Sequence, residues 1–500
     1  MSTPVTKKFL LSLSGILAFS LTCLAQLPLI NSFSPNKAVA GARVVIDGSN
    51  FNTNPTGNTV FFGAVEGKVV SAAANKLEVI VPAGATLKPI SVLNKTSGLI
   101  AFSKRPFIPT FSNGNSYGPT LPSNFYKPQV DFRTQNLPFS VATADIDNDG
   151  SSDIIVVNQF SNTVSIFINS GRPGAISPSS FRQRIDLPTG NNPWCVAVED
   201  VDNDGAKDII VANNGQPSTV SVIRNTRTQG NVEFAAKIDF PCGYAPTSIS
   251  VDDIDNDGKS DIVTANRTGT VSILRNQSAP GSLSSKSFTS KVDFTLGTVL
   301  RFIAIDDIDG DGKNDLVISN EQLNTVSVFK NNTTPGSITP SAFNAKVDFV
   351  TGNNPVGVAL ADLDGDDKPE IITANSGGNT ISILHNNATS GNISAASFGA
   401  KIDISAAEKP YSVAIADVDG DGKPDIVATN ASGASKSISV YRNLYNSGAF
   451  TGASIGNRAD FNVAKYPYSL AIGDINGDGI PEQVVTGYNS NVVSVLQSVL

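Results

Sequence analysis

One histidine, three cysteines, one methionine and one tryptophan stand in 500 residues. A single histidine argues against most histidine-based catalysis and against histidine-rich metal sites. Cysteine this sparse excludes a disulfide scaffold, and a chain of this length can bury a core without one. Charged residues are 16% of the chain, well below the usual quarter. Basic runs are absent, and 44 Asp+Glu against 36 Lys+Arg give a formal net charge of −8. Nucleic acid is held mainly by Lys and Arg on phosphates, so it is not an expected partner. Beyond the N-terminus, no run approaches the roughly 20 apolar residues of a membrane-spanning helix. The hydrophobic fraction of 40% is nevertheless too high for a disordered chain.

The N-terminus carries its own signal. Lys7 and Lys8 precede an apolar run from Phe9 to Leu21, and Cys23-Leu24-Ala25 places small residues before Gln26. Residues 1–25 therefore read as a secretory signal peptide, too short for a membrane span. A lipoprotein signal with Cys23 lipidated is the alternative, although Ser20-Leu21-Thr22 matches that pattern poorly. A secreted or cell-surface location is expected. Cys195 and Cys242 remain in the mature chain; an oxidising compartment permits a bond between them. Two half-buried thiols in neighbouring repeats fit as well.

Repetition is the strongest feature. Seven acidic nonamers recur, with starts 55, 53, 54, 55, 55 and 57 residues apart. They are DIDNDGSSD (Asp145, Asp147, Asp149, Asp153), DVDNDGAKD (Asp200, Asp202, Asp204, Asp208) and DIDNDGKSD (Asp253, Asp255, Asp257, Asp261). DIDGDGKND (Asp307, Asp309, Asp311, Asp315) and DLDGDDKPE (Asp362, Asp364, Asp366, Glu370) follow. The last two are DVDGDGKPD (Asp417, Asp419, Asp421, Asp425) and DINGDGIPE (Asp474, Asn476, Asp478, Glu482). An alternating stretch such as Ser140–Asp145 precedes each nonamer, and an apolar run such as Asp153–Asn158 follows. A third segment such as Thr163–Asn169 and a short fourth such as Lys237–Phe240 complete the unit. These segments are short, β-branched and bounded by Gly, Asn and Pro, so each repeat holds four strands. No stretch shows helical periodicity.

Four strands in about 50 residues, repeated, indicate a β-propeller, here with seven blades. The fourth-strand motif first occurs at Gln129–Phe132, before any nonamer, and is missing after the last. Residues 127–132 are therefore expected to complete the last blade and close the ring, which removes exposed edges.

Within each nonamer, carboxylates at positions 1, 3, 5 and 9 can converge on one point, and Gly at position 6 permits the reversal. The donors are all oxygens. Such a cage suits Ca²⁺ better than Mg²⁺, which keeps more water. Polar turns alone would favour Asp, Asn and Gly too, but would not crowd four carboxylates into nine residues. Up to seven structural Ca²⁺ ions are expected. Asp367 replaces the glycine in the fifth loop and Asn476 lowers the charge of the seventh, so both are expected to bind more weakly.

From Tyr126 to Leu500 the chain resembles the FG-GAP/VCBS repeat family, the calcium-loop propellers that include the integrin α-subunit head. That resemblance implies calcium at positions 1, 3, 5 and 9, loops on the lower face between the first two strands, and ligands on the opposite face. Residues 27–108 resemble the IPT/TIG immunoglobulin-like domain through Ile30–Pro35, Gly41–Phe51, Val60–Gly63 and Leu77–Pro82. Short alternating strands with glycine turns suit a small β-sandwich. The expected organisation is all-β: a signal peptide over 1–25, a sandwich over 26–108, a linker over 109–125 and the propeller over 126–500.

Six residues before each nonamer stand Phe139, Trp194, Thr247, Arg301, Val356, Tyr411 and Tyr468. In a propeller these turns surround the axis opposite the acid loops. Trp194, Tyr244, Arg301, Tyr411 and Tyr468 are the candidate ligand-binding residues, although they could merely pack the channel mouth. His385 falls in a strand-end slot held elsewhere by Ile168, Arg224, Arg275, Lys330, Arg442 and Gln497, and is expected to be exposed and non-catalytic. The expectation is a monomeric, non-enzymatic calcium protein binding an extracellular carbohydrate or protein. A polysaccharide lyase or hydrolase, and a purely structural repeat protein, are the alternatives. An enzyme would need an acid/base pair outside the loops, and the sequence offers none.

The acidity follows from the loops. Removing the two signal-peptide lysines gives 34 − 44 = −10 for the mature chain. Positions 1, 3, 5 and 9 of the loops hold 27 of the acids, and seven Ca²⁺ would bring the charge to −10 + 14 = +4.

Overall fold

The computed structural model describes residues 26–111, 117–171, 174–227, 232–433 and 436–500. The expected signal peptide lies outside them. Among the described residues there is no α-helix, only strands and three short 3-10 turns.

Seven four-stranded antiparallel sheets follow one another along the chain. The first blade runs Pro138–Ala144, Asp153–Asn158, Thr163–Phe167 and Ile185–Pro188. The same order recurs over 193–241, 246–295, 300–350, 355–405 and 410–462. The last blade takes Leu470–Gly473, Glu482–Gly487 and Val492–Leu496 from the C-terminus and Val130–Arg133 from the N-terminal side. Val493 stands opposite Phe132 and Ser494 opposite Asp131. First strands contact first strands around the ring, including the first blade on the last. The architecture is a seven-bladed propeller.

Burial explains the strand patterns. Second strands such as Asp208–Asn213 are buried at every residue, because neighbouring blades cover both sheet faces. They therefore read as unbroken apolar runs, not alternations. Fourth strands are outer edges, and Val347–Val350 alternates exposed Asp348 with buried Phe349. The fourth-strand phenylalanine packs edge-to-face on a loop phenylalanine of the next blade: Phe132 on Phe181, Phe240 on Phe288, Phe294 on Phe343 and Phe349 on Phe398, at 4.8–5.0 Å.

Two polar series span the blades. Each third-strand serine donates to the fourth-strand aspartate, from Ser165–Asp186 to Ser494–Asp131. An asparagine after each of the first six third strands stitches blades together on the loop face. Asn225 Nδ2, for example, donates to Ile146 O of the preceding blade at 2.8 Å and to Lys207 O at 3.2 Å. Asn225→Ala leaves both buried carbonyls short of a donor, which should cost about 1–3 kcal/mol in urea unfolding.

The N-terminal sandwich has eight hydrogen-bonded strands in one continuous order around a core that includes Val44, Ile46, Val60, Phe62, Leu77 and Phe107. It sits on the acid-loop face of the propeller. Ile100 N–H donates to Gly258 O at 3.1 Å, and Asp145 N–H to Ala64 O at 3.2 Å. Asn203 Nδ2 donates to Gly98 O at 2.9 Å. Lys207 Nζ lies 3.9 Å from the centroid of the Phe61 ring. The stretch expected to be a linker is anchored at its end, because Leu121, Phe125 and Tyr126 are buried beside Phe461. Cys195 and Cys242 are both free thiols and buried.

Candidate functional site: acid loops and channel mouth

Each acid loop joins the first and second strands of its blade. Its shape comes from two left-handed positions. Position 6 is left-handed throughout, from Gly150 at φ 91° to Gly479 at 84°, with Asp367 at 68°. Position 4 is left-handed too, from Asn148 at 60° to Gly477 at 75°. Only Asn or Gly stands there, the residues that tolerate this region. That second signal was readable in the sequence. Position 2 is another: Ile146, Val201, Ile254, Ile308, Leu363, Val418 and Ile475 are all buried between blades.

The carboxylates have distinct duties. Position 1 accepts the N–H of position 6, as Asp200 Oδ2 does from Gly205 at 2.8 Å. Position 5 accepts from position 7, as Asp204 Oδ1 does from Ala206 at 2.8 Å. In six loops position 9 clips loop to third strand: Asp153 accepts from Ile146 N and Asn169 N, both at 2.7 Å. Position 3 faces inward. Asp202 Oδ1 and Asp255 Oδ1 are buried without a hydrogen-bond partner. Ligand atoms of Asp145, Asp147 and Asp153 lie within 4.8 Å of one another, and those of Asp200, Asp202 and Asp208 do likewise.

This crowding has an electrostatic consequence. Burial, with neighbouring acids adding to it, pushes Asp145 and Asp417 up to about 7. Burial likewise raises Asp315 and Glu370 to about 8. Without a cation, the folded chain therefore holds protons that the unfolded chain releases near pH 4. Its stability falls as pH rises from about 4 to 8. Melting in EGTA is expected at a higher temperature near pH 5 than near pH 8.

In blades two to six a side chain from the end of the third strand leans over the loop. Arg275 Nε lies 2.6 Å from Asp255 Oδ2, and Lys330 Nζ 2.6 Å from Asp309 Oδ2. Arg224 and Arg442 pair with Asp202 and Asp419 in the same way. In the first blade Ile168 leaves the role to Arg182, at 3.2 Å from Asp147 Oδ2. His385 is not the exposed residue expected: its Nε2 lies 2.7 Å from Asp364 Oδ2 and its ring stacks on Phe450. The strand end points back over the loop, which a linear reading cannot show. The seventh blade has neutral Gln497 in this slot and Asn476 at position 3, so the two charges are absent together.

The opposite end of the axis holds an aromatic mouth. A cavity of about 260 Å³ is lined by Phe139, Gln159, Trp194, Arg267, Arg301, Tyr411, Tyr468 and Tyr488. Phe139 is central, 4.4 Å from Trp194 and 5.0 Å from Tyr468 between ring centroids. Arg301 pairs with Glu321 through Nε at 2.9 Å and Nη2 at 3.1 Å. Four of the five candidate residues thus meet at one cavity. Tyr244 does not: it is 59% exposed and lines no part of it. Thr247 and Val356 are buried in the core. Gln159, Arg267 and Tyr488 come from turns after second strands, which also reach this end of the axis, so the turns entering first strands do not contain them.

Seven radial sheets with an acid loop on each, and a β-sandwich on the loop face, define a β-propeller of the acid-loop class. The chain belongs to the FG-GAP-like repeat family, which it matches over residues 145–211, 200–264, 307–373, 362–428 and 419–485. Residues 28–107 match the IPT/TIG domain. No curated protein matches the chain. Among solved structures, BBS1N in complex with ARL6DN is similar at 10% identity and TM-score 0.48, covering 75% of this chain and 97% of that one. An auxiliary nutrient binding protein from Bacteroides thetaiotaomicron is similar at 12% identity and TM-score 0.35, covering 94% and 98%. A functionally unknown protein from Desulfotomaculum acetoxidans is similar at 16% identity and TM-score 0.46, covering 69% and 92%.

Proposed function

We propose that this chain is an exported, monomeric, calcium-stabilised binding protein that takes an extracellular carbohydrate at the aromatic mouth. The cavity beside Phe139 and Trp194 carries the reading. It combines ring faces with two arginines and an amide at the one end of the axis the sandwich does not cover. Aromatic faces with a few placed polar groups suit sugar rings, which present apolar C–H faces and polar rims.

The calcium part rests on the loops. Positions 1, 3, 5 and 9, from Asp145 to Glu482, would hold the ions. The donor set is all oxygen, and the unpartnered oxygens of Asp202 and Asp255 await a cation rather than a proton donor. Position 9 keeps a lone pair on each oxygen after its backbone bonds. Bound calcium would supply positive charge that holds the carboxylates together; it takes part in no reaction.

Binding without turnover is the reading for the mouth. Glu321, the carboxylate beside it, is held by both nitrogens of the Arg301 fork. A general base needs a group free to take a proton. A glycan array in millimolar calcium tests the proposal. Trp194→Ala and Arg267→Ala should each weaken the best hit by about tenfold or more, as central anchors do. Unchanged affinity in both variants would sink the site. Reproducible cleavage of a polysaccharide would replace the binding reading with an enzymatic one.

A further inference from the structure

The sandwich does not merely adjoin the propeller; it stands on the acid loops. Its contacts fall on loop atoms whose positions depend on loop shape. Asn203 occupies the left-handed position 4 of the second loop and spans two partners, donating to Gly98 O of the sandwich and to Gly258 O of the third loop, each at 2.9 Å. Gly258, at the left-handed position 6, offers the same carbonyl to Ile100 N–H of the sandwich. Asn148 Nδ2 in the first loop donates to Glu66 Oε2 at 3.1 Å. Arg105 Nη1 reaches Asp367 Oδ1 in the fifth loop at 2.6 Å. A Cβ on Gly420 in the sixth loop would meet the Phe111 ring at 2.7 Å. Loops one, two, three, five and six therefore each touch the sandwich or the strand leaving it.

We infer that the cations gathered by the acid loops also fasten the N-terminal sandwich to the propeller, so that ion occupancy and domain docking are coupled. This rests on the calcium reading above and goes beyond it. The physical link is short. Carboxylates at positions 1 and 5 hold the loop backbone through N–H bonds, and the same backbone carries Gly258 O and the Asn203 side chain. Mutual repulsion in an empty loop spreads those carboxylates and displaces the docking groups with them. Much of the footing is polar and sits at left-handed turns, so it tolerates little displacement. Asp367 adds the one anionic anchor for Arg105, at the position where the other six loops have glycine. The substitution read from the sequence as a weakness of the fifth loop is thus a docking residue.

The full-length mature chain tests this. Calorimetry with calcium alone counts ions; X-ray scattering and hydrogen exchange report docking. In EGTA, below the melting transition, the radius of gyration and the maximum dimension should both increase as the sandwich leaves the loops. Exchange at the Ile100 and Asp145 amides should quicken by about tenfold or more, while the Val44 and Ile46 amides inside the sandwich stay protected. The double variant Asn203→Ala, Arg105→Ala should bring the same expansion at saturating calcium. Coupling is reciprocal, so that variant should also bind its weakest ions several-fold less tightly. Retained blade melting in the variant separates undocking from misfolding. Calcium uptake with no change in dimension or exchange on chelation overturns the coupling and leaves the calcium reading intact. A chain that takes up no calcium overturns both.

Discussion

Removing calcium is expected to lower the melting temperature of the intact chain by about 10 °C or more, and adding it back should restore the loss. A ligand that binds only the folded state stabilises it by RT ln(1 + [L]/Kd), about 2.7 kcal/mol per site at a hundredfold excess. Several sites act on one cooperative ring, so the increments accumulate. The empty state is also poor in its own right, because carboxylates within 4.8 Å of one another face inward, with Asp202 Oδ1 and Asp255 Oδ1 unpartnered. The pairs made by Arg224, Arg275, Lys330 and Arg442 offset only part of that charge, since each loop keeps carboxylates beyond the one or two the cation meets. Differential scanning calorimetry in calcium, in magnesium and in EGTA measures the effect. Magnesium should restore less than calcium, because it holds more of its water. A melting temperature indifferent to EGTA would defeat the calcium reading.

Phe132→Ala should be the most damaging single substitution outside the loops. Phe132 is 7% exposed, and its ring meets Phe181 at 4.8 Å and Phe167 at 6.3 Å. Loss of a buried phenylalanine costs about 3–5 kcal/mol through transfer and cavity terms. Here the residue also sits on the strand that closes the ring. Val130–Arg133 pairs with Val492–Leu496 across nearly the whole propeller sequence, so weakening it loosens first and last blades together. Phe240→Ala is the control, since Phe240 packs on Phe288 of the next blade at 4.9 Å in the same way but belongs to a blade whose four strands are contiguous in the chain. Urea unfolding should show a larger loss for Phe132→Ala, with early exchange at Val493 and Val495. Equal losses would show that closure adds nothing beyond local packing.

The blades were legible because each is a local unit that recurs. Alternation, turn residues and a nonamer every 53–57 residues describe four strands without reference to anything distant. The closing strand was legible by the same count, since one motif stood at the wrong end of the array; the structure pairs Val130–Arg133 where residues 127–132 were expected. The acid loops were legible in their ligands but not in their full grammar. Asn or Gly at position 4 and the buried aliphatic at position 2 were printed in every repeat, yet their reasons, φ above zero and inter-blade burial, are three-dimensional. The fourth-strand aspartates looked like ordinary edge charges until Ser165 and its equivalents were placed opposite them.

Sequence alone determined the fold class, the blade number, the way the ring closes and the residues that crowd acid at each loop. These depend on patterns a few residues wide, repeated often enough to exclude chance. Tertiary structure alone decided which side chains share a cavity and which surfaces are covered. It gathered Gln159, Arg267 and Tyr488 into the mouth and left Tyr244 outside, because turns from different strands converge only when the ring is closed. It turned His385 onto Asp364, because the third strand ends above the loop of its own blade. It set the sandwich on the acid-loop face, through bonds such as Asn203 to Gly98. That contact joins residues 105 apart in the chain, and no local periodicity encodes such a meeting.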